Sequence, residues 1–164
     1  MTGFSRNASA NFFIFSARAR SKIICDPRTR DHCFMIVMAL YAGLLALWFV
    51  VLSLRVVDQR RRNKVSLGDG GKTMLLRAIR GHANFSEYVP LALVLLAILE
   101  LSGYPRYVLH GLGATLLAGR LLHGYALSFT AHFRFGRVAG AALTFLVIAV
   151  SGVLCLWQVW TGIH

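Results

Sequence analysis

Residues 73–101 read TMLLRAIRGHANFSEYVPLALVLLAILEL, and this stretch decides the fold. Only the 12 residues from Tyr88 to Leu99 are free of charge, too few to cross a hydrocarbon core about 30 Å thick. The residues before them contain no proline and repeat at helical spacing, so one helix over 73–101 is expected, about 43 Å long at about 1.5 Å per residue. Its first half must then bring Arg77, Arg80, Asn84 and Glu87 to the membrane. Pro90, its one proline, is expected to bend it.

The rest of the chain supplies three more apolar stretches. FMIVMALYAGLLALWFVVLSL, from Phe34 to Leu54, is 21 residues without a charge, long enough to span. It ends in the basic run Arg55 to Lys64, followed by a turn centred on Gly68-Asp69-Gly70-Gly71. Tyr107 to Leu127 forms a third span, holding His110, Arg120 and His123, and Val138 to Trp160 a fourth with no charge. Trp157 and Trp160 suit an interfacial aromatic belt. Short connections between the four predict an all-α, up-and-down four-helix transmembrane bundle over residues 33–164.

Composition agrees: of 164 residues, 57% are hydrophobic and 15% charged, more apolar surface than a soluble domain of this size encloses. Net charge is +12, but the basic residues sit between apolar stretches, where the positive-inside rule puts them, so no nucleic-acid partner is expected. They crowd the connections between spans one and two and between three and four. Both termini of the bundle are therefore expected on the non-cytoplasmic side of the membrane, which would be the inner or plasma membrane if the source is bacterial. Residues 1–32, with six basic residues against two acidic, oppose that orientation. They are read as a basic extension, disordered or absent from the mature chain, with Met35 a candidate start. The three cysteines form no CxxC pair, and no metal site is expected.

Ionisable residues inside a membrane cost at least about 2.5–3.5 kcal/mol each at the centre, which makes each a functional candidate. Arg77, Arg80, Asn84 and Glu87, spaced 3, 4 and 3 apart, share one helix face, continued by Leu91, Val94 and Ile98. Arg120 and His123 share a face of the third span. If these helices are antiparallel neighbours, the two clusters meet at one depth and form a polar cavity for a small anionic or zwitterionic ligand. The same spacing also allows a structural reading, with Glu87 neutralised by Arg80 or Arg120 as a buried pair. Glu100 is expected to snorkel at the far surface. GGKT at 70–73 is not a P-loop: the first glycine of that motif would fall at Ser66.

The run GDGGKTMLLRAIRGHANFSEYVPLALVLLAILE (68–100), followed by GRLLHGYAL (119–127), resembles the MAPEG family, membrane-associated proteins of eicosanoid and glutathione metabolism, in its bacterial form. The core of the likeness is R-x-H-x-N-x-x-E-Y-x-P, from Arg80 to Pro90. The resemblance implies a homotrimer of four-helix subunits that binds glutathione as co-substrate between adjacent subunits. It implies a transferase or peroxidase acting on lipophilic electrophiles that arrive through the membrane lipid. By the same resemblance, Arg80, Asn84 and Glu87 bind the tripeptide, Arg120 and His123 approach it, and Arg55 reaches in from a neighbouring subunit. Arg134 or Arg137 is the implied thiol activator, because a guanidinium stabilises the nucleophilic thiolate. Two positions depart from the family pattern: Leu127 stands where its well-studied enzymes carry tyrosine, and Ala83 where an arginine is often found. Leu127 favours a second reading, a non-catalytic trimeric membrane protein whose polar cavity is structural or holds another small ligand.

Overall fold

The computed structural model describes residues 35–130 and 133–161, so the expectations for residues 1–32 lie outside the described residues. It contains four helices: α1 (Ile36–Asn63), α2 (Thr73–Leu101), α3 (Arg106–Ser128) and α4 (Arg134–Thr161). Helices α1, α2 and α4 are long and apolar enough to cross a membrane. Helix α2 has the bounds expected from its pattern and runs on through Pro90. Helix α1 continues nine residues beyond Leu54, because nothing in RVVDQRRRN breaks a helix. It stops at Lys64, which turns left-handed (φ 55°) and donates its N–H to the carbonyls of Arg60 and Arg61.

Two ends are held by side chains from other helices. Met35, before the first turn of α1, makes no capping bond of its own. Glu100, at the end of α2, does that work: its carboxylate accepts the N–H groups of Val37 at 2.9 Å and Met38 at 2.8 Å. An anion at a helix N-terminus meets both free donors and the positive end of the dipole. Glu100 therefore ties α2 to α1 where a snorkelling surface charge was expected. At the opposite end, Arg77 donates to the carbonyls of Leu127 and Ala126, and Arg55 to that of Ser128 at 3.2 Å. Two guanidinium groups thus cap the C-terminus of α3, the converse arrangement.

Neighbouring helices alternate in direction. Glu100 at the end of α2 meets the start of α1, and Arg77 at the start of α2 meets the end of α3. His123, late in α3, meets Arg137 at the start of α4. Helices α2 and α3 pack against each other, and each touches both α1 and α4. Helices α1 and α4 do not meet, so the cross-section is a rhombus with α2 and α3 on its short diagonal. Leu45, Leu52, Leu75, Leu96, Leu99, Leu109, Leu116 and Val147 fill its centre. Around it Leu47, Leu54, Val138, Val153 and Leu156 each leave more than 60% of their surface outside, which suits lipid and not water.

Candidate functional site

The site is built by a close approach of α3 and α4. Gly136, Gly140 and Thr144 form a buried small-residue stripe, four apart, along α4. At its centre the Gly140 and Gly119 backbones meet: a Cβ on Gly140 would lie 2.6 Å from the Gly119 carbonyl oxygen and 2.7 Å from the His123 backbone nitrogen. Only glycine permits that distance, and it brings Arg120 and His123 directly onto the α4 backbone.

Arg120 is 2% exposed. Its guanidinium donates to Asn84 Oδ1 of α2 at 3.0 Å and to the Gly140 carbonyl at 3.3 Å, leaving Nε without a partner. One buried cation thereby fixes three helices and orients the Asn84 amide. His123 Nδ1 lies 2.9 Å from the Arg137 carbonyl oxygen, and its Nε2 is buried with no partner.

Two clefts open beside this junction. The smaller, about 390 Å³, is lined by Arg77, Arg80, Ala83, Asn84, Glu87, His123, Leu127 and Arg137, with Leu76. The larger, about 700 Å³, runs along α4 between His123, Arg134 and Arg137 at its polar end and Val138, Ala141, Ala142 and Phe145 beyond. His123 and Arg137 belong to both. Both volumes lie in the usual range for small-molecule sites.

The candidates divide accordingly. Arg80, Asn84, Glu87, His123 and Arg137 come together on the smaller cleft, with Arg120 immediately behind Asn84. Arg134 lines only the larger one. Arg55 lines neither: it bonds Ser128 and Asp58 and lies 5.1 Å over the Phe129 ring. Leu127 gives the smaller cleft an apolar wall, and Tyr125 points elsewhere, stacked on Phe129. Among the described residues the ion pairs are Arg55–Asp58 and Arg62–Asp58. Among the described residues Glu87 forms no ion pair with Arg80 or Arg120, and Arg80, Glu87 and Arg137 line the cleft without an ion-pair partner. The α4 stripe was missed from sequence; its four-residue spacing of Gly136, Gly140 and Thr144 is the signal that could have found it.

A model of the MAPEG family matches residues 38–157. The chain is also 40% identical over 121 residues to the protein named inner membrane protein YecN in Escherichia coli strain K12, covering 74% of this chain and 91% of that one. The YecN protein of Escherichia coli strain CFT073 matches to the same extent. With four helices, three of them apolar enough to cross a membrane, and a family match over most of its length, this chain is a member of the MAPEG family.

Proposed function

We propose that the protein is a glutathione-dependent membrane enzyme, a transferase or peroxidase that acts on lipophilic electrophiles. One observation carries this reading: Arg80, Glu87 and Arg137 line one cleft with no ion-pair partner among the described residues, around an Asn84 amide held by buried Arg120. Charges of both signs left open on one cleft match a ligand that brings both signs itself. Glutathione does so: its two carboxylates suit the guanidinium groups, its ammonium suits Glu87, and its amides suit Asn84. The thiol would lie toward Arg137, which the adjoining apolar cleft also shares, so the electrophile would meet it there. Between the two candidate thiol activators this favours Arg137 over Arg134.

Four crossings complete the reading, with α3 turning Arg120 and His123 inward, where both are buried and would be shielded from lipid. The basic end, with Arg60, Arg61, Arg62, Lys64 and Lys72, would face the cytoplasm and both termini of the bundle the other side. The cleft opens on a face where Leu91, Val94 and Ile98 are exposed, and a homotrimer would close it with a second copy. Leu127 favours the alternative, a non-catalytic cavity. Calorimetry with glutathione, followed by conjugation of a generic aryl halide, separates the two. Binding and turnover support the enzyme; binding without turnover supports the alternative; neither sinks the glutathione reading.

A further inference from the structure

We propose that His123 is the base of this site, with Nε2 taking the proton from the bound thiol; this rests on the glutathione reading above. The geometry sets the tautomer. The atom 2.9 Å from Nδ1 is the Arg137 carbonyl oxygen, which can only accept, so the hydrogen is on Nδ1. The lone pair of the neutral ring is then on Nε2. Four buried side-chain polar atoms among the described residues lack a partner: Arg120 Nε, Ser128 Oγ, Ser151 Oγ and His123 Nε2. Only His123 among their residues lines either cleft, and it lines both. His123 as a residue is 8% exposed, held between α3 and the first turns of α4 by the Gly119–Gly140 contact. Leu127, one turn further along α3, offers the same wall no polar atom.

The step balances within the site. The S–H proton moves to Nε2, giving an imidazolium and a thiolate, which the Arg137 guanidinium stabilises. A sulfur electron pair attacks the carbon of the electrophile, a C–S bond forms, and the halide of an aryl halide leaves with the C–halogen pair. The imidazolium returns its proton to water at the open mouth of the cleft. The charged residues that share a cleft with His123 are Arg77, Arg80 and Glu87 from α2 and Arg134 and Arg137 from α4, with buried Arg120 one turn back on its own helix; α1 contributes no residue to either cleft.

The test uses the full chain in detergent, with glutathione and an aryl halide. Wild type should bind glutathione as thiolate, seen by its ultraviolet absorbance, and kcat/KM should level off with rising pH. His123→Gln keeps an N–H for the Arg137 carbonyl but has no base. It should bind glutathione within about threefold of wild type, lose the thiolate signal at neutral pH and lose about a hundredfold in kcat/KM, the usual worth of general base catalysis. Its residual rate should keep climbing about tenfold per pH unit as the thiol ionises unaided. His123→Ala, which leaves room at the ring, should recover the thiolate signal when imidazole is added. Should His123→Gln bind glutathione and retain the wild-type thiolate signal and pH profile, the base assignment is overturned while the glutathione reading stands. Loss of binding together with activity in both variants, with no recovery by imidazole, also overturns it, as the mark of a structural residue. Wild type that binds no glutathione at all overturns both readings.

Discussion

Replacing Gly140 by alanine tests the junction on which the whole site rests. The new methyl would lie 2.6 Å from the Gly119 carbonyl oxygen and 2.7 Å from two atoms of His123, one of them backbone nitrogen. Ordinary contact begins near 3.4 Å, so α3 and α4 must separate by about 0.8 Å. No flexible side chain is available to yield in their place. Overpacking of this kind costs about 1–3 kcal/mol. The same shift stretches the 3.3 Å bond from Arg120 to the Gly140 carbonyl beyond hydrogen-bonding range. A bond to a charged group is worth about 1.5–3 kcal/mol. Alanine returns about 1 kcal/mol through helix propensity. The net destabilisation is therefore about 1.5–5 kcal/mol, by combining those three ranges. Gly152, on the same helix, has nothing within 4 Å of its would-be Cβ, so Gly152→Ala should be neutral or stabilising by up to about 1 kcal/mol. Unfolding in mixed detergent and SDS micelles, followed by helical circular dichroism, measures both. If the two variants unfold at the same SDS fraction, the backbone contact of α3 and α4 is wrong, and the placement of His123 and Arg120 goes with it.

Arg137→Ala should lower kcat/KM for aryl-halide conjugation by about a hundredfold through loss of thiolate stabilisation, and Arg134→Ala by about tenfold or less. Equal losses in steady-state assays would refute the choice between them. Glu100→Ala removes the acceptor for two N–H groups at the start of α1 and should destabilise the fold by about 0.5–2 kcal/mol, as capping substitutions do. Hydrogen exchange should then quicken first at Val37 and Met38; unchanged protection there would show that Glu100 caps nothing.

The polar stripe of α2 was legible without coordinates because helical periodicity is a local property: spacings of 3, 4 and 3 put Arg77, Arg80, Asn84 and Glu87 on one face in any α-helix. What each does was not legible. Arg77 lines the smaller cleft, yet its guanidinium is spent on the carbonyls of α3, while Arg80 beside it stays open to the cleft. Both are arginines at equivalent positions on the helix, and only the end of a distant helix separates their roles. Arg55 shows the same limit, since its partners Ser128 and Phe129 lie more than 70 residues away.

The sequence by itself determined the class, the four apolar segments, the single long α2 with its charged half, and the family, because hydropathy and motif spacing are properties of contiguous residues. Tertiary structure alone decided which charges are paired and which are left open. It set Glu100 on the start of α1, placed Arg120 between Asn84 and Gly140, and fixed the His123 ring on the Arg137 carbonyl. Each of those depends on how closely two helices approach, and between α3 and α4 that distance is set by Gly119 facing Gly140.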